Sequence, residues 1–256
     1  VIRTVKATRY VTPLREGGSL PAILEADDDG LYVAKFRGAG QGPKALIAEL
    51  VAGEIGRALG LLVPEIVFIQ IDPILGRSEP DWEIQQLLQA SAGLNLALDY
   101  LPGALGFDPV LAPPPDAQLA SEIVWFDAYV SNVDRVPRNP NLLVWHRRLW
   151  LIDHGAALYV HHAPDFLKRS GSPFAPIREH ILLPFASALS EADATLSARL
   201  TRETIQEIVA LIPDEWLDEK PSAEEQRLRY VTYLRRRLEA PRAFVEEAIN
   251  ARALLV

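Results

Sequence analysis

At 256 residues the chain suits one large domain or two lobes around a cleft, and 49% hydrophobic with 23% charged residues is the profile of a soluble globular protein. A formal net charge of −8 gives no electrostatic footprint for non-specific nucleic-acid binding, so no direct nucleic-acid partner is expected. The absence of cysteine excludes disulfides, zinc–thiolate sites and a cysteine nucleophile, and fits the cytoplasm, where the chain is expected to act. The start has no apolar run of the signal-peptide kind. The longest apolar stretch, around Leu59 to Ile71, is broken by Pro64 and Glu65 and is too short for a membrane span.

The first third reads as strands. Thr4 to Val11 is β-branched and aromatic; Gly17-Gly18-Ser19 makes a loop, and Leu20 to Ala26 is a second run. Asp27-Asp28-Asp29-Gly30 predicts a hairpin turn with Leu31 to Phe36 as the returning strand. Gly38 to Pro43 breaks the chain. Ile47, Val51, Ile55 and Leu59 then recur at helical spacing, with Pro43 suited to the first turn and Gly60 to the end. Val67 to Ile71 predicts a strand, Trp82 to Ala92 a helix, and Leu94 to Tyr100 a strand ending at Pro102-Gly103. Pro113-Pro114-Pro115 looks like a connector, Ala117 to Val130 like a helix, and the signal from about Ile177 onward is helical. This is an α+β chain with two unequal lobes, a β-rich one with one key helix and a mainly helical one.

Lysine occurs only at Lys6, Lys35, Lys44, Lys168 and Lys220 among the 26 cationic residues, so a lysine where arginine would serve draws interest. On a strand, Lys35 shares a face with Leu31 and Val33 and needs an anionic partner, unless it reaches water from an edge. Glu49 on the next helix is a candidate partner. It lies beside Ala45, Ala52, Gly53 and Gly56, a stripe of small residues that would let the helix approach a sheet.

The stretch SNVDRVPRNPNLLVWHRRLWLIDHG places Asp134 in a loop of Pro and Asn, then two apolar runs around His146-Arg147-Arg148. Asn141 enters the first run and Asp153 leaves the second. A hairpin returns its ends to one place, so Asn141 and Asp153 should be neighbours with Asp134 close by. An amide and a carboxylate are suitable oxygen ligands for Mg²⁺, and a second carboxylate left free could accept a hydroxyl proton.

Taken in order, Lys35 in Val-Ala-Lys, Glu49, Leu98 to Gly103, Asp134 with downstream Asn, and Asp153-His154-Gly155 resemble the protein-kinase-like superfamily. Asp153-His154-Gly155 resembles its Asp-Phe-Gly metal motif. Within the superfamily the pattern is most similar to the HipA-like bacterial kinases, with a looser likeness to phosphatidylinositol kinases through Asp134-Arg135. The resemblance implies a bilobal protein-kinase-like fold, with residues 1–103 as nucleotide-binding lobe and 104–256 as catalytic helical lobe. It further implies Mg-ATP-dependent phosphoryl transfer to a hydroxyl of a protein or small molecule. Lys35 would bind the α- and β-phosphates and be held by Glu49. Val33 would cover the adenine, the backbone of Asp99, Tyr100 and Leu101 would bond its edge, and Gly17, Gly18 and Ser19 would lie over the phosphates. Asp134 would be the base, and Asp153 with Asn139 or Asn141 would hold Mg²⁺. A pseudokinase and an AMP transferase on the same fold stay open beside this reading.

Smaller features receive structural readings. GAGQGPKA, residues 38–45, fails the Walker pattern and serves to break a strand and start a helix. His161-His162 lacks a third ligand at useful spacing. Arg235-Arg236-Arg237 reads as a solvated helix face. Ser170 and Ser172 are candidate phosphorylation sites, and Trp125 and Phe126 are expected in the core.

Overall fold

The computed structural model describes residues 1–14, 20–111 and 113–255. The strand-rich part comprises β1 (Thr4–Pro13), β2 (Ala22–Ala26), β3 (Leu31–Lys35), helix α1 (Pro43–Ala58), β4 (Ile66–Ile71), α2 (Trp82–Ala90) and β5 (Gly93–Asp99). The five strands close into a barrel in the order β1-β2-β3-β5-β4, antiparallel except where β1 runs parallel to β4. The expected hairpin joins β2 to β3, its turn held by the Gly30 N–H donating to Asp28 Oδ1 at 3.1 Å.

Strand alternation sorts the barrel into two faces. Ala22, Leu24, Tyr32, Ala34, Val67, Ile69 and Ala97 fill one core with Ile84 and Leu88 of α2. Leu96, Leu98 and Ile66 turn the other way and join the buried residues of α1 and of the helical part. Lys35 stands on this second side, paired in register with Leu96, as Val33 is with Leu98. The small residues of α1 do let it sit close. A Cβ at Gly53 would lie 2.5 Å from Ile66 Cδ1, and one at Gly56 would lie 3.1 Å from Val63 Cγ2.

A two-residue strand β6 (Leu105–Gly106) follows, then helix α3 (Ala117–Val130), capped by the Asp116 carboxylate accepting from the Leu119 N–H. Strands β7 (Leu142–Trp145) and β8 (Arg148–Leu151) form the expected hairpin, and β6 adds to its edge. His146 and Arg147 make its two-residue turn, both at positive φ (48° and 62°). Short 3-10 turns run from Tyr159 to Phe185, so the helical signal expected from about Ile177 becomes α-helix only from Leu189. Helices α4 (Leu189–Arg199), α5 (Arg202–Ala210), α6 (Ala223–Leu238) and α7 (Ala243–Ala253) complete the chain. Trp125 and Phe126 are core residues, as expected. Among the described residues no helix is long and apolar enough to cross a membrane.

One reading is corrected. Arg235 and Arg236 are exposed, but Arg237 is 3% exposed. Its guanidinium donates to the carbonyls of Ala128 and Tyr129 at the C-terminal end of α3 and to those of Ser170 and Ser172. A cation on the last carbonyls of a helix is favoured by their free acceptors and by the helix dipole. Ser170 is itself buried, its hydroxyl donating to Leu167 O, which leaves it poorly placed as a modification site.

Candidate active site

Lys35 closes β3 at 8% exposure, and its Nζ lies 2.8 Å from Asp153 Oδ1. Burial pushes the ammonium down, but the charges of Asp153 and Glu49 outweigh it and leave it raised. Glu49, on α1 at 1% exposure, forms no ion pair with Lys35 within 4.0 Å; its Oε1 faces His154 Nδ1 at 3.3 Å instead. Burial would raise the Glu49 carboxyl, yet the Lys35 charge and the contacts with His154 bring it down to about 2. Its Oε2 is buried without a hydrogen-bond partner. Helix α1 is thus tied to the Asp-His-Gly turn through His154, in addition to its electrostatic hold on Lys35.

The hairpin does return its ends to one place. The Ile152 N–H donates to Asn141 O at 3.1 Å, and Asn141 and Asp153 both adopt left-handed backbone, with φ of 49° and 54°. Asn and Asp tolerate that conformation better than other non-glycine residues, so the two ends combine the right backbone with oxygen donors. Asp134 follows α3 in the intervening loop and is half-buried; Asn139 Nδ2 donates to its Oδ2 at 2.7 Å. Burial first, then the Asp153 charge, raise the Asp134 carboxyl, while the Asn139 and Asn141 amides pull the other way. Asn141 Nδ2 is buried with no hydrogen-bond partner.

These groups suit a hard divalent cation. Two carboxylates, on Asp134 and Asp153, repel one another, and an Asn amide lies at the same hairpin end. No group of three or more His, Asp or Glu that could enclose a metal occurs among the described residues. One carboxylate plus one amide leaves most of a Mg²⁺ shell to phosphate and water, as a nucleotide-bound metal needs.

The residues expected at the base are less uniform. Gly17, Gly18 and Ser19 lie outside the described residues. Val33 is half-buried beside Leu98. The Asp99 N–H already donates to Glu65 O at 2.8 Å and the Tyr100 N–H to Leu31 O at 2.9 Å, so of the three amides only that of Leu101 makes no hydrogen bond among the described residues. The Leu101 segment is fastened to the hairpin, since Trp145 Nε1 donates to Pro102 O at 3.0 Å and β6 pairs with β7. Lys44 donates from Nζ to His161 O at 3.1 Å, which agrees with a structural role for the 38–45 loop.

Sequence reasoning missed Asp127 and His180 and left Asn132 and Arg135 without a role. All four are buried beneath the site. The signal for Asp127 was present: a carboxylate inside the apolar run Val124-Trp125-Phe126 and Ala128-Tyr129-Val130 demands a buried partner. Nothing local pointed to His180.

The model of a family described as HipA-like kinase matches residues 8–244. Among solved structures, a Helicobacter pylori proinflammatory kinase, CtkA, is similar at 15% identity and a TM-score of 0.60, covering 99% of this chain and 100% of that one. A Golgi casein kinase with Mn and ADP bound is similar at 11% identity and a TM-score of 0.53, covering 98% of this chain and 73% of that one. At these identities the likeness is one of fold, and the fold is that of kinases. No curated protein matches.

Proposed function

The chain belongs to the HipA-like kinase family, and from that premise we propose that it is an Mg-ATP-dependent kinase that transfers the γ-phosphoryl group to a hydroxyl. The observation that carries the proposal is the convergence of Lys35, Asp153, Asn141 and Asp134 at the place where the end of β3 meets the two ends of the β7–β8 hairpin. Such positioning and charge compensation is nearly all that phosphoryl transfer asks of a protein.

Residues 1–103 act as the nucleotide-binding lobe and 104–256 as the catalytic lobe. Val33 covers the adenine and the free Leu101 N–H meets its edge. Lys35 moves from Asp153 to the α- and β-phosphate oxygens. Asp153 and Asn141 would hold Mg²⁺, while Asn139 orients Asp134 through its 2.7 Å bond. Bound Mg²⁺ would neutralise phosphate charge as it develops. Asp134 accepts the acceptor's proton as the new O–P bond forms and the bond to the β-phosphate bridge breaks, releasing ADP; the proton then passes to water. The raised Asp134 carboxyl suits a base that must hold a proton briefly. The acceptor is a protein Ser/Thr or a small-molecule alcohol.

The test is incubation with Mg²⁺ and γ-labelled ATP beside Asp134→Asn. Label on protein or released phosphate, reduced about 10²- to 10⁴-fold in the variant with nucleotide affinity kept, is the expected result. Transfer of α-label instead would replace the proposal with AMP transfer. Nucleotide binding with neither label moving, across a panel of protein and small-molecule hydroxyl acceptors, would replace it with a pseudokinase.

A further inference from the structure

Behind Asp134 and the two hairpin ends lies a closed polar network that touches neither nucleotide nor acceptor in the reading above. Its centre is Asp127 of α3, which is fully buried. Oδ1 accepts from Asn132 Nδ2 at 2.8 Å and Arg135 Nη2 at 3.4 Å; Oδ2 accepts from Arg135 Nε at 2.5 Å and His180 Nε2 at 2.9 Å. Two oxygens thus take four donors, which meets the full capacity of a carboxylate. The tautomer of His180 is fixed by its other nitrogen. Nδ1 accepts from the Leu182 N–H at 3.0 Å, so the proton is on Nε2 and points at Asp127.

The outer edge of the network reaches the backbone at or next to Asp134, Asn141 and Asp153. Asn132 Oδ1 accepts from the Asp134 N–H at 3.1 Å. Arg135 Nη1 donates to the carbonyl of Asn141 and, at 3.4 Å, to that of Ile152, the residue before Asp153. Arg135 and Asp134 are consecutive, yet Arg135 is fully buried while Asp134 stays partly open. The Arg135 carbonyl in turn accepts from the Ile181 N–H at 3.1 Å, which brings the His180 segment to the same point.

The geometry points to Asp127, Asn132, Arg135 and His180 as one positioning unit that sets the spacing of Asp134, Asn141 and Asp153, with His180 as its remote clamp. The inference rests on the roles given above to Asp134 and Asp153. It goes beyond them by assigning control of their geometry to a histidine distant in sequence. A shift of about 1 Å in such a constellation can cost on the order of a hundredfold in rate, whereas the metal-free part of nucleotide binding, assigned above to Lys35 and the barrel, would be untouched.

The test compares His180→Phe, which fills the space without a donor, with His180→Gln, which keeps an amide N–H at similar reach. Amide hydrogen exchange of the whole chain is read first, then ATP turnover. His180→Phe is expected to speed exchange at the Asp134 and Ile152 amides and to lower kcat about ten- to a hundredfold, with metal-free ADP affinity within about twofold. His180→Gln should recover most of both. Unchanged exchange at those two amides in a folded His180→Phe chain would overturn the inference, as would equal behaviour of the Phe and Gln chains. If His180→Phe does not fold, Asn132→Ser is read in the same two ways. A wild-type chain without ATP turnover would count against the kinase reading alone, and the exchange result would still decide the positioning unit.

Discussion

Lys35 and Asp153 face one another at 2.8 Å, and this pair joins the last residue of a barrel strand to the residue that leaves the hairpin. The lysine is 8% exposed, so it could not stand there uncompensated, while Asp153 keeps about a third of its side chain open to water. The partner is therefore exchangeable. On the proposed function, phosphate oxygens replace Asp153 on the ammonium and free the carboxylate.

That exchange predicts an asymmetry between two variants. Lys35→Met leaves Asp153 hydrated but takes away the cation that holds the buried Glu49 ionised, so the chain should lose stability, and Glu49→Gln should restore part of it. The turnover of Lys35→Met should fall about 10²- to 10³-fold, the usual effect of deleting one donor to transferring charge. Asp153→Asn should instead remove the dependence of ADP affinity on Mg²⁺, read by calorimetry with and without the metal. Undiminished turnover in Lys35→Met would mean that the ammonium serves only the ion pair.

Glu49 and His154 form the second pair, 3.3 Å apart and both buried. His154→Phe would keep the ring packed on Phe126 but leave the Glu49 carboxylate short of a donor. A destabilisation of about 2 kcal/mol is expected, the range for leaving a buried polar group unsatisfied. Glu49→Gln in that background should restore part of it. A double-mutant cycle in urea that gives coupling below about 0.5 kcal/mol would show that the contact contributes nothing of its own.

Much of this was legible locally. Apolar spacing and the Asp116 cap define α3, Asp-Gly and the period of two define the β2–β3 hairpin, and hairpin geometry alone brings Asn141 to Asp153. What was not legible is long-range. The parallel β1–β4 closure leaves no local pattern, and the Lys35 partner depends on where β8 ends relative to β3. The Asp127 network draws on residues from 127 to 180. Arg237 is a different kind of miss: with Tyr230, Tyr233 and Leu234 it continues one buried stripe of α6 at helical spacing, and composition alone concealed it. Its guanidinium also lies 4.7 Å over the Phe244 ring, which helps a cation to be buried without a carboxylate.

Asn139 and Asn141 should separate by function. Asn139 donates to Asp134, so Asn139→Ala should lower kcat by loosening the base while the Mg²⁺ dependence of ADP binding persists. Asn141 is in left-handed backbone at φ 49°, where alanine would add strain of about 1–2 kcal/mol. Asn141→Gly deletes the side chain without that cost. It should weaken ADP binding with Mg²⁺ and leave metal-free binding unaltered. The reverse pattern in calorimetry would exchange their roles.

His161 gives the chain a predictable response to acid. Burial, then the charges of His162 and Lys44, bring its imidazole from 6.5 down to about 3. Nδ1 faces the Tyr230 hydroxyl at 3.1 Å, Nε2 is buried without a partner, and Lys44 sits on the His161 carbonyl. A protonated ring would therefore be an uncompensated buried cation. Because the folded value lies below the unfolded one, the unfolded chain binds more protons between pH 6.5 and about 3. The contribution of His161 is complete above pH 6.5 and is lost as pH falls through that window, with a slope of at most about 1.4 kcal/mol per pH unit. His180, held down by burial, acts with the same sign, whereas Glu49 at about 2 loses its contribution only below about pH 4.5. Urea midpoints measured from pH 7 to pH 5 should thus fall for the wild type and fall less for His161→Gln, by about 1–2 kcal/mol over the range. Parallel slopes for the two chains would mean that the buried imidazole accepts its proton without opening the segment from Tyr159 to His162.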